Sequence, residues 1–134
     1  PSQGGFLVKA GTAASIQAGY VVIKDGSNAG YAKAAADACD NTAVILGVAT
    51  SASTETAAAD GYVTVTWDSN LIVEVYAKVP ASLATSKLLS SYILDVTAGS
   101  YKLDEATTTN GFLRLLSYDN TTSGKCIAVM TCNT

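Results

Sequence analysis

Side chains able to do acid–base or nucleophilic chemistry are few in this 134-residue chain, and they are poorly placed for it. Histidine is absent, which removes Ser–His and Cys–His nucleophile pairs. A Ser–Lys dyad has a formal candidate in Ser86-Lys87, an adjacency that a serine-rich composition produces by chance. Asp104-Glu105 is a pair of neighbouring carboxylates, but consecutive residues of a strand point to opposite faces, so the expected role is solvation of a turn. Asp25, Asp60, Asp68 and Asp95 all neighbour expected turns. Turn chemistry accounts for them better than calcium does, since no EF-hand spacing is present. No Gly-rich phosphate loop of either common type occurs. The cysteines, Cys39, Cys126 and Cys132, are odd in number. On one extended strand Cys126 and Cys132 stand about 20 Å apart, too far to bridge; whether Cys39 pairs with either is left open by spacing. Three buried thiols in a reducing compartment is the default, and with no histidine a four-ligand zinc site is not expected. No catalytic residue, metal or cofactor is expected.

The elements around these residues read as strands. Gly61 to Val79 sets Val63, Val65 and Trp67 against Tyr62, Thr64 and Thr66, then Leu71, Val73, Val75, Ala77 and Val79 against Ile72, Glu74, Tyr76 and Lys78. Period-two alternation rich in β-branched and aromatic residues predicts strands with one buried face. Asp68-Ser69-Asn70 between them predicts the turn of a long central hairpin. Strands are also predicted around 20–24, before the Asp25-Gly26 turn signal, and at 44–49, where Gly47 suggests a bulge or close backbone approach. A second hairpin is predicted over 91–103, and further strands at 112–116 and 125–131. The Ala34–Ala38 run is too short for a free-standing helix, and Ala81–Leu89 could hold one short helix. Residues 1–9 read as a flexible arm in which Gly4, Gly5, Phe6, Leu7 and Val8 dock on a partner; the alternative is a frayed terminus followed by an edge strand.

The order of pieces repeats: Tyr20, Tyr31 and Gly61 find counterparts in Tyr92, Tyr101 and Gly124, each in a similar hairpin-plus-strand unit. The expected fold is all-β, a small β-barrel or tightly packed β-sandwich of two such units with at most one short helix. Residues 10–134 are expected to form a single barrel domain. Half of the residues are hydrophobic and only 14% are charged, which suits a protein packed against neighbours. Net charge is −3, with the basic residues scattered singly, so nucleic acid is not an expected partner. No apolar run is long enough for a membrane span, and no signal peptide is expected within the sequence, whose Pro1-Ser2 start fits removal of an initiator Met or processing.

Ile16-Gln-Ala-Gly-Tyr-Val-Val, Asp25-Gly26, Ala43-Val-Ile-Leu-Gly-Val-Ala49, Gly61-Tyr-Val-Thr-Val65 and Val79-Pro80 resemble the β-barrel capsid-decoration (cement) proteins of tailed bacteriophages. The second copy departs from that pattern: Ser90-Ser91 stands for the usual Ala-Gly, and Leu115-Leu116 for Gly-Val. The resemblance implies a non-enzymatic protein on the capsid exterior that binds the major capsid protein and clamps neighbouring shell subunits, often as a homo-oligomer, with the trimer favoured. Tyr62 and Tyr76, on the polar faces of the central strands, are candidate subunit-interface residues or cross-strand partners within one sheet. Glu74 is either solvated or lysine-paired, or forms an inter-subunit salt bridge. Two other functions fit the composition: a self-assembling subunit of an extracellular fibre or surface layer, and a carbohydrate-binding domain that stacks sugars on Trp67 and tyrosines.

Overall fold

A computed structural model describes residues 2–133. It contains ten strands: β1 (Ser2–Val8), β2 (Val21–Lys24), β3 (Tyr31–Ala34), β4 (Ile45–Ala49), β5 (Gly61–Trp67), β6 (Asn70–Ala77), β7 (Ser91–Thr97), β8 (Ser100–Asp104), β9 (Leu113–Tyr118) and β10 (Lys125–Thr131). The helical elements among the described residues are two three-residue 3-10 turns, Pro80–Ser82 and Thr85–Lys87, in the stretch expected to hold at most one short helix.

The strands close into two five-stranded barrels, ordered β1-β3-β2-β4-β5 and β10-β6-β8-β7-β9. The expected all-β fold of two similar units holds, but each unit closes on itself, so there are two barrels where one was expected. The central hairpin does not form. β5 pairs with β1 and β4, and β6 pairs with β10 and β8, so its two arms belong to different barrels. Alternation fixed which faces are buried, whereas pairing went to the strand that completes each closed sheet. By contact density the first unit comprises the chain up to Ala35, Ala43–Ser69 and the residues from Cys132. The second comprises Ala36–Thr42 and Asn70–Thr131.

The flexible arm is a second correction. Ser2–Val8 is strand β1, in antiparallel register with β5 from Ser2 opposite Trp67 to Val8 opposite Gly61. Val8 is buried in the first core with Ile16, Val22, Ala32, Leu46, Ala49, Val63 and Val65. The apolar run ending in Val8 gains more from covering that core than from staying in water. Pro1 lies outside the described residues.

The two barrels share one topology. In each, a parallel pair (β1 with β3, β6 with β8) is embedded among antiparallel ones. Leu7 and Val8 face Tyr31 and Ala32, as Tyr76 and Ala77 face Lys102 and Leu103. Gly61 lies opposite Val8, and the Gly124 carbonyl accepts from Ala77 N–H at 2.8 Å, so those glycines are equivalent, as the repeat predicts. The tyrosines are not. Gly19 N–H donates to the Ala49 carbonyl and Ala49 N–H to Tyr20, just as Leu89 donates to Leu115 and Leu115 to Ser90. Tyr20 therefore matches Ser90, and Tyr31 matches Lys102.

This register places Leu89 (φ +68°) where the first barrel has Gly19 (φ +91°). A left-handed backbone costs an L side chain roughly 1–2 kcal/mol, and Leu89 is well exposed, so little packing offsets that cost. Leu89→Gly is expected to stabilise the protein by up to about 1 kcal/mol after glycine's own entropy cost. Urea midpoints of the two proteins check this.

The bulge expected at Gly47 is present. The β2–β4 register shifts between Val22, opposite Gly47, and Ile23, opposite Ile45. Gly47 takes φ +154°, and a Cβ there would sit 2.2 Å from the Thr66 carbonyl oxygen.

Candidate functional site

Two carboxylates are buried most deeply, and no sequence pattern singles out either for that place. Glu55, in the β4–β5 connection, is 2% exposed and accepts from the Ser15 backbone N–H (3.1 Å) and, at a shorter distance, from the Ser15 hydroxyl. Burial alone would raise its pKa, but the hydrogen bonds from Ser15 and Ser53 outweigh burial and hold the carboxyl below its ordinary value. Glu105 is also 2% exposed and accepts from Val79 N–H (2.6 Å) and the Ser82 hydroxyl (2.7 Å). It therefore does not solvate a turn, as its neighbour Asp104 suggested; it ties the chain leaving β6 to the chain leaving β8. Ser15 precedes buried Ile16 as Ser82 precedes buried Leu83, so both barrels clamp the same connection with a glutamate taken from different loops. One oxygen of each, Glu55 Oε1 and Glu105 Oε2, has no partner among the described residues.

The other charged groups are similarly committed to structure. Asp60 accepts from Tyr31 OH (2.6 Å) and Ala10 N–H (2.8 Å), with Lys9 Nζ 3.9 Å away and 5.2 Å above the Tyr31 ring. The Tyr31 hydroxyl and Ala10 N–H lower the Asp60 pKa. Lys78, the counterpart of Lys9, pairs with buried Asp95 at 3.3 Å. Asp95 is thus an ion-pair residue within β7 rather than a turn residue. Asp25 does cap a turn, accepting from Ser27 N–H and Asn28 Nδ2. Lys87 Nζ of the formal Ser–Lys pair donates to the Glu105 carbonyl at 2.9 Å. The thiols of Cys39, Cys126 and Cys132 are free and buried. Burial, assisted by Asp40 and Glu105 respectively, pushes Cys39 and Cys126 up to about 11, so both stay protonated at neutral pH. No group of three metal-ligating side chains converges among the described residues.

What remains is surface. On the first barrel Leu7 lies directly opposite Tyr62, and Tyr62 is 63% exposed. On the second, β6 turns Ile72 (61% exposed), Glu74 and Tyr76 outward. Glu74 is paired with Lys125 at 3.3 Å, and Lys125 is also the residue opposite Tyr76. Glu74 thus takes the lysine-paired option, and Tyr62 and Tyr76 both have cross-strand neighbours while remaining open to solvent.

The candidate arm residues separate by role. Val8 is core, Leu7 faces out, and Gly4, Gly5 and Phe6 line a groove of about 640 Å³ at the mouth of the first barrel, with Leu46, Trp67 and Lys24 among its other walls. Alternation places Trp67 on the buried face. The ring does point that way, but it stands at the barrel's open end and is 37% exposed. The available signal was the repeat itself: Gly4 occupies the place of Val73, and Trp67 that of fully buried Met130. No family model, curated protein or solved structure matches this chain.

Proposed function

We propose that this protein is a non-enzymatic decoration protein that binds the outside of a viral capsid of the tailed-phage kind. In this reading it contacts the major capsid protein and stabilises the shell as a homo-oligomer, a trimer on the sequence resemblance. The observation that carries the reading is the set of large apolar side chains that the closed barrels turn outward: Leu7 and Tyr62 on one, Ile72 and Tyr76 on the other. A closed barrel has no internal use for these groups, and exposed apolar rows with few charges are characteristic of contact surfaces. The buried glutamates are held by backbone and serine partners, which suits a rigid binding module. Identical sites repeated over a shell would let modest contacts gain through effective concentration.

The test is co-sedimentation with shells of the virus that carries this sequence. Bound protein is expected to saturate and to raise the melting temperature of the shell. Tyr62→Ser and Tyr76→Ser should leave the protein's own unfolding within about 0.5 kcal/mol, as surface substitutions do, while lowering shell occupancy. Filaments formed by the protein alone in sedimentation velocity would instead favour a fibre subunit, and absence from the shell pellet would remove the decoration reading.

A further inference from the structure

The groove at the mouth of the first barrel lies along a strand edge that the barrel leaves unpaired. β1 is laddered to β5 over its whole length, but on its other side, among the described residues, only Leu7 and Val8 pair, with Tyr31 and Ala32 of β3. β3 begins at Tyr31, so beside residues 2–6 of β1 the place of a continuing strand is vacant. The wall of that vacancy is built from Gly4, Gly5 and Phe6, with Leu46 and Trp67 as its apolar floor and Lys24 at its side. A Cβ on Gly4 would meet Trp67 Nε1 at 3.3 Å, so the absence of a side chain at this position is what keeps the groove open. The second barrel shows the contrast: Val73 occupies the place of Gly4, and Met130, fully buried, that of Trp67. No ion pair engages Lys24 among the described residues, and it is a local cation on a chain of net charge −3.

The geometry points to this groove as a receptor for an extended segment of another protein, with apolar side chains at alternate positions and a carboxylate directed to Lys24, added as a strand to the free edge of β1. A free edge supplies a row of backbone donors and acceptors that only another backbone can match in register. Five free positions span about 17 Å of strand. Period-two alternation of the incoming segment puts every second side chain over Phe6, Leu46 and Trp67, and a cavity of this size lies within the usual range for bound ligands. The inference is independent of the shell reading, since the groove would recognise such a strand whichever protein supplies it.

The test uses the full chain and two pools of N-acetylated, C-amidated hexapeptides. Both carry valine, isoleucine, leucine or phenylalanine at alternate positions with serine or threonine between; one pool ends in glutamate and the other in lysine. Trp67 is the single tryptophan, so its emission reports the groove without background. The glutamate pool is expected to shift Trp67 emission to the blue. At ten times its Kd it should slow amide exchange at Gln3 and Gly5, whose N–H groups point away from β5, about tenfold. The lysine pool should bind about two- to fivefold more weakly, as one exposed ion pair allows, and Lys24→Glu should reverse that order. Gly4→Val, which copies the second barrel, should abolish binding of both pools. If that variant does not fold, Lys24→Glu still decides. The proposal is overturned if neither pool binds at about 1 mM, about ten decades or more short of the tightest complexes, or if Lys24→Glu leaves the preference unchanged. A Trp67 shift without protection of Gln3 and Gly5 overturns it too.

Discussion

Gly47→Ala is expected to bring the first barrel to the edge of unfolding, with a loss of at least about 3 kcal/mol from backbone strain and overpacking together. The added methyl would lie 2.2 Å from the Thr66 oxygen and 2.7 Å from Val65 Cγ1. Neither can retreat: Thr66 is held opposite Val48 on one side and Gln3 on the other, and Val65 is fully buried. The φ of +154° adds a conformation that side chains rarely adopt. In the second barrel the same place is taken by Leu113, opposite Tyr92 as Gly47 is opposite Val22, and the ladder ends at that pair. Followed by Trp67 emission, the urea midpoint should fall by about 1–2 M for a domain of this size. A fall under about 0.3 M would mean that the bulge relaxes and that Gly47 is not required for closure.

Gly47 was legible because a glycine inside an apolar run weakens the strand unless a bulge or a close backbone approach requires it. Much else in the fold was legible for similar reasons. Alternation at Val63–Val65 and Leu71–Ala77 gave the buried faces correctly, and the ordered repeat gave two like units. What alternation cannot carry is the identity of a strand's neighbour. Asp68-Ser69 is as good a link between two barrels as it is a hairpin turn, and nothing local separates the two. β1 supplies the missing information, because once Phe6 and Val8 enter the first barrel β5 has its partner and β6 must find another. The slip of the tyrosine matches has a related origin. Tyr20 and Tyr92 are alike in chemistry, but the hydrogen-bond frame is set by Gly19 and Leu89, residues so unlike that sequence comparison passes over them.

The candidate surfaces were partly legible. Outward placement of Tyr62, Glu74 and Tyr76 follows from strand parity and is what the structure shows, whereas the partners they would meet are not encoded in parity. The groove was hidden because it depends on three separate segments ending at the same level: the start of β3, the end of β5 and the free half of β1. Gly4-Gly5 read as a flexible tether, yet each residue sits in a paired strand, and the small size of Gly4 serves clearance rather than mobility. The buried glutamates were missed because Glu55 lies in a Thr/Ala/Ser loop with no pattern around it, and Glu105 follows Asp104 at what looks like an ordinary turn.

Those glutamates set the second large expectation. Glu55→Ala and Glu105→Ala should each cost about 3 kcal/mol, because each leaves a backbone N–H and a serine hydroxyl without their charged acceptor. Glutamine keeps an acceptor and should cost less. The pH dependence separates an ionised from a neutral carboxyl at Glu55. Its folded pKa is depressed: burial opposes ionisation, but the bonds from Ser15 and Ser53 outweigh burial. A depressed carboxyl contributes stability that is fully present above the unfolded pKa, and that contribution is lost as pH falls from there through the folded pKa. The stability gap between wild type and Glu55→Gln should therefore be full at pH 7 and shrink on acidification below the ordinary carboxylate range. Asp25, Asp40 and Asp60 are depressed as well, so wild type weakens in acid for several reasons, and only the gap isolates Glu55. Urea midpoints of both proteins at pH 7 and near pH 3, read by Trp67 in the same barrel as Glu55, measure that gap. A gap of equal size at both would show that the folded and unfolded pKa of Glu55 coincide, and a gap that shifts in favour of wild type on acidification would show a carboxyl kept neutral in the fold.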